Sequence, residues 1–96
     1  MQQIHIDHIK QVALPVLKEA GVTKSALFGS YVRGDNHEDS DIDILVELPR
    51  EKSLFDFIGL KLRLEEALKK KVDLVEYETV KPLLKQYILA EQVQIL

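Results

Sequence analysis

"GSYVRGDNHEDSDIDILV", residues 29–46, joins a glycine-serine pair to an apolar run that two aspartates interrupt at its entrance. Ile42, Ile44, Leu45 and Val46, bounded by Ser40-Asp41 before and Pro49 after, read as a largely buried strand. Residues two apart in a strand share a face, so Asp41 and Asp43 present their carboxylates together, about 6–7 Å apart at Cα. Upstream, "KSALFG", residues 24–29, reads as a short strand ending at Gly29, and "GSYVRG" as one or two helical turns entered abruptly.

Around this centre the pattern is helical. Ile9, Val12, Ala13, Val16, Leu17 and Ala20 recur at the spacing of an amphipathic helix, with Asp7 as expected N-cap and Gly21 as its stop. Pro15 falls inside it and is expected to kink or split the helix. Ser53 and Asp56 make an S-x-x-D capping box before a leucine-rich helix reaching about Lys70. Its apolar residues occur nearly all round, which points to a side that meets another protein. "KVDLVEY", residues 71–77, is a third strand. Thr79 is the expected cap of a last helix with Leu83, Leu84, Tyr87 and Ile88 as its apolar stripe. The order α-β-α-β-α-β-α implies a small layered α/β (α+β) domain, a short sheet covered by helices.

Ninety-six residues bury one core and leave no room for a separate substrate domain, so a single domain over 1–96 is expected. At 46% hydrophobic and 30% charged, the chain is globular in composition rather than disordered. It has no cysteine, which excludes a disulfide framework and a thiolate metal site. No apolar run approaches the roughly 20 residues of a membrane span, and the N-terminus lacks a secretory plan, so a cytoplasmic protein is expected. A net charge of −3 argues against a polynucleotide as main partner, because that needs clustered Lys and Arg.

Two close anions beside an apolar strand repel each other unless a cation lies between them. Mg²⁺ is the natural counterion, since it takes oxygen ligands and completes its shell with water and substrate phosphates. Asp73, between Val72 and Leu74, gives a third acid in a similar setting; if the two strands are neighbours, three carboxylates converge. Gly29 lets the backbone approach a phosphate, the following N–H groups point at the anion, Ser30 adds a hydroxyl donor, and Arg33 offers a planar fork one turn on.

Gly29-Ser30, ten residues, then Asp41-Ile42-Asp43 resembles the G-S-x10-D-x-D signature of the polymerase-β-like nucleotidyltransferase superfamily. Average residue usage gives a chance match on the order of one in a thousand in a chain this short. With Tyr31, Arg33, Gly34 and the later "VDLV" acid, the chain most resembles the minimal nucleotidyltransferase (MNT) antitoxins that pair with HEPN toxins. The resemblance implies a polymerase-β-like fold with a short mixed sheet, ATP as donor, and two Mg²⁺ ions. It also implies transfer of AMP to a tyrosine hydroxyl of the partner toxin, in a hetero-oligomer. Carried over by position, Asp41 and Asp43 hold both metals, Asp73 holds the metal that activates the acceptor, and Gly29, Ser30 and Arg33 bind the triphosphate.

Other readings stand beside this one. Asp39, Asp41 and Asp43 alternate as in a calcium loop, but Ile44 and Arg50 occupy the positions that need Gly and Glu. Acids at a strand entrance also occur as a solvated edge, and Arg33 also reads as a surface ion-pair partner. His5 and His8 lack a further zinc ligand, His37 lacks a partner, and Asp35, Glu38 and Asp39 read as a solvated loop. Two functional rivals remain: a small-molecule nucleotidyltransferase subunit of the aminoglycoside-modifying type, and a non-catalytic antitoxin acting by occlusion.

Overall fold

Strand β2 (Ile42–Glu47) runs through the middle of a four-stranded mixed sheet in the computed structural model, which describes residues 6–96. The spatial order is β3-β2-β1-β4, with β1 spanning Lys24–Phe28, β3 Val72–Glu76 and β4 Val93–Gln94. β1 lies antiparallel to β2 and β3 lies parallel to it. The parallel pair needs a crossover, and α3 (Leu54–Leu68) supplies it.

Period-two alternation sorts the strands into two faces. Ile42, Ile44 and Val46 of β2, Leu27 of β1 and Val72 and Leu74 of β3 join Ile9, Ala13 and Leu17 of α1 (Ile6–Glu19) and Leu60, Leu64 and Leu68 of α3 in one core. Asp43, Leu45 and Glu47 point the other way, in register with Asp73 and Val75 of β3. A 3₁₀ turn (Tyr77–Thr79) and α4 (Pro82–Glu91) lead from β3 to β4 at the opposite edge.

Several local expectations need correction. Asp7 lies inside the first turn of α1 rather than capping it, and α1 runs unbroken through Pro15. Pro15 sits on the exposed side, where water satisfies the carbonyl it leaves unpaired. Of the two histidines noted near the N-terminus, His8 is exposed and His5 falls outside the described residues. The last helix starts at Pro82 with Lys81 before it, because proline fits the first helical position; Thr79 instead donates its hydroxyl to the Glu76 carbonyl at 2.9 Å. Its apolar stripe does not enter the core: Leu83, Leu84 and Tyr87 are exposed. β4 was not anticipated, since a two-residue strand carries no periodicity.

The capping box of α3 is present. Ser53 Oγ accepts from the Asp56 N–H at 3.3 Å, and the Asp56 carboxylate accepts from the Ser53 N–H at 2.8 Å. These bonds hold the Asp56 carboxyl below its ordinary range. Ser53→Ala removes one arm and is expected to cost about 1 kcal/mol, seen as a Tm lower by roughly 5 °C in thermal unfolding.

Candidate active site

Gly29 is the hinge of the site. Its backbone adopts φ 81° and ψ −151°, a region essentially closed to side chains, and this turns the end of β1 directly into α2 (Ser30–Arg33). A Cβ there would collide with the Asp43 carboxylate, whose Cγ would lie 2.9 Å away. Only glycine lets that carboxylate rest against the strand-to-helix junction.

A four-residue helix has no stability of its own. Tyr31, buried in the core, anchors α2, and Gly34 closes it in the left-handed conformation with its N–H on the Ser30 carbonyl at 2.9 Å. The first N–H groups of the turn, at Ser30 and Tyr31, have no intrahelical acceptor and directly follow Gly29, against which the Asp43 carboxylate rests.

Three of the anticipated acids share one face. Asp43 pairs in register with Phe28 on one side and Asp73 on the other. Asp41 precedes the strand, exposed, on the far side of buried Ile42. Burial, then the charge of Asp73, then that of Asp41 raise the Asp43 carboxyl to about 6, with Arg33 opposing. Asp43 and Asp73 are near enough to share a hydrogen bond, whereas Asp41 acts through its charge alone.

The side chains do not close into a cage: among the described residues no three carboxylates or imidazoles converge as a metal-ligand group. Backbone register and the Asp43–Asp73 approach bring two of the expected acids together, while exposed Asp41 at the rim does not join them in a three-ligand group. An all-oxygen, anionic donor set beside groups reluctant to ionise together fits a hard divalent cation.

Arg33 is engaged elsewhere. It pairs with Asp35 at 3.3 Å and with Glu91 of α4 at 3.1 Å, which raises its pKa, chiefly through Asp35. Such exposed pairs are worth little and exchange readily for a polyphosphate. Glu91 was missed from the sequence, where nothing links it to a residue 58 positions away.

Because Asp43 keeps its proton to higher pH when folded than when unfolded, its contribution to stability falls as pH rises from roughly 4 through 6, and the ionised form disfavours folding at neutral pH. Asp43→Asn is expected to raise Tm by roughly 5 °C near pH 7.5, about 1 kcal/mol after allowing for partial solvent exposure, with the gap closing near pH 4. Thermal melts of both proteins across that range check it, and an equal gap at both ends would contradict it.

Comparison with known proteins agrees with this geometry. A family model described as "Nucleotidyltransferase domain" matches residues 9–95. A Methanocaldococcus jannaschii protein provisionally named a protein adenylyltransferase is 47% identical over 93 residues, covering 97% of this chain and 100% of the relative. The protein adenylyltransferase MntA of Thermococcus cleftensis is 37% identical over 99 residues, covering 99% and 100%. Among solved structures, a toxin-antitoxin crystal structure with AMP-PNP superposes with a TM-score of 0.78 at 28% identity, over 91% of this chain and 72% of that one. Matched over residues 9–95 by the family model, and over nearly its whole length by relatives and by a minimal nucleotidyltransferase structure, the chain belongs to the nucleotidyltransferase domain family, among its minimal members.

Proposed function

We propose that this chain is the antitoxin of a two-protein module, transferring AMP from ATP to a tyrosine hydroxyl of a HEPN-type toxin and thereby silencing it. The observation that carries the reading is the register of Asp43, set against Asp73 on one neighbouring strand and against the Gly29 turn on the other. That register supports reading the acids as metal ligands and the amides after Gly29 as phosphate donors.

Two further observations support a protein acceptor. Relatives matched over their whole length are named for protein adenylylation, and a structural neighbour is a toxin-antitoxin pair with a nucleotide analogue. Leu54, Phe55 and Ile58 on α3 and Leu83, Leu84 and Tyr87 on α4 are exposed large apolar side chains that a partner protein would cover. No helix among the described residues is long and apolar enough to cross a membrane. The chain works as one minimal domain in the cytoplasm, with the toxin presenting the acceptor.

Asp41, Asp43 and Asp73 are the residues that would hold Mg²⁺, two ions in our reading, which when bound stabilise the attacking and departing oxygens. The chain's own groups do the rest. Gly29 and the first amides of α2 grip the triphosphate, Ser30 donates its hydroxyl, and Arg33, released from Asp35 and Glu91, reaches a phosphate. Asp73, on the acceptor side, takes the proton as the tyrosine oxygen attacks the α-phosphorus in line. The new P–O bond forms as the bond to pyrophosphate breaks.

Incubation with labelled ATP, Mg²⁺ and the partner toxin is expected to label a toxin tyrosine. Asp41→Ala or Asp43→Ala should lower the rate at least about a hundredfold, the scale of losing a charge-stabilising group. Label transfer that survives both changes would overturn the assignment. Neutralisation of the toxin by the Asp41→Asn/Asp43→Asn double variant at equal amounts would indicate masking instead of catalysis.

A further inference from the structure

The turn between α3 and β3 carries three consecutive lysines, Lys69, Lys70 and Lys71, that form one wall of a cleft of about 350 Å³. Glu38, Asp39, Ser40 and Asp41 form the other wall, so the cleft takes in one of the three candidate metal-binding acids, Asp41. Lys71 belongs to their face by register: its carbonyl accepts the Ile42 N–H at 3.0 Å, and it stands two residues before Asp73.

The lysines differ in what they do. Lys70 donates to the Glu38 carbonyl at 2.7 Å and pins the acidic loop. Lys69 and Lys71 are exposed, and neither is in an ion pair among the described residues. Lys69 caps α3 at φ 57°, the only positive φ outside glycine among the described residues. Glycine is the residue this position favours, so lysine is held there at a cost in stability.

Position in the sheet decides what the cleft meets. The candidate triphosphate cradle lies at the end of β1, Asp43 on β2 with Asp41 just before it, and Asp73 on β3. In-line displacement puts pyrophosphate and acceptor on opposite sides of the phosphorus. The lysine turn, at the start of β3, is therefore on the acceptor side. A negative group flanking the acceptor hydroxyl would meet the Lys69 and Lys71 ammonium groups on that side, beyond the aspartates that Mg²⁺ would occupy, with Glu38 and Asp39 on the opposite wall.

We propose that Lys69 and Lys71 form an acceptor-side anion subsite, holding a negatively charged group that flanks the hydroxyl receiving AMP. The proposal rests on the transferase reading above. The anion comes either from carboxylates of the acceptor chain or from the phosphodiester of an AMP already attached, as on the tri-AMPylated HEPN toxin of Shewanella oneidensis seen with its MNT antitoxin, and the two sources give different kinetics.

The test compares wild type with a Lys69→Gly/Lys71→Gln variant in labelled-ATP transfer to the partner toxin, with products resolved by mass spectrometry. Lys69→Gly removes the amine while relieving the backbone, so the variant should melt no lower than wild type. We expect KM for the toxin to rise roughly tenfold, less steeply dependent on salt, with KM for ATP and kcat within about twofold. A rise at the first addition identifies acceptor carboxylates; slowing confined to later additions identifies the phosphodiester. Unchanged toxin KM and unchanged later additions, or a rise in KM for ATP alone, would overturn the subsite. Absence of transfer by wild type would instead overturn the transferase reading on which the subsite rests.

Discussion

The whole active face depends on the contact between the Gly29 backbone and the Asp43 carboxylate. It sets how closely β1 and β2 can end together, and so where α2 begins relative to the acids. No other residue type satisfies both demands there, a positive φ and no Cβ. Because β2 is paired on both sides, fixing Asp43 also fixes Asp73 through the parallel ladder and leaves Asp41 at the rim.

Such a patch is unfavourable for the folded chain taken alone. Asp43 is half-buried beside two like charges, and its carboxyl responds by holding its proton to about 6. The opposite face of the sheet supplies the compensation: Ile42, Ile44 and Val46 alternate with the acid positions and are fully buried against α1 and α3. One strand thus carries three fully buried apolar side chains on one side and a carboxyl pushed out of its ordinary range on the other. The charge that disfavours folding is the charge that suits the site to cations.

Much of this was legible in the sequence because it is local. The strand at residues 42–47, the glycine turn, the short helix at Ser30–Arg33 and the capping box at Ser53 follow from spacing and backbone chemistry within a few residues. The same face for Asp41 and Asp43 follows from period two. Long-range pairing was less accessible: Asp73 was an acid in a matching context, and only strand register places it beside Asp43. The tie from Arg33 to Glu91 and the short strand β4 leave no sequence signal at all. The stripe of α4 failed for a different reason, since helical periodicity says that a face is apolar but not what covers it. Lys71 was readable in principle, being two residues before Asp73, but a lysine at a strand end ordinarily reads as a solvated edge.

The most direct measurement is a crystal structure of the chain with Mn²⁺ in place of Mg²⁺ and a non-hydrolysable ATP analogue, with the metal located by its anomalous signal. The account predicts metal held by Asp41, Asp43 and Asp73, with the triphosphate against Gly29 and Ser30. Metal bound at Glu38 and Asp39 alone, or a triphosphate lying away from the Gly29 turn, would contradict it.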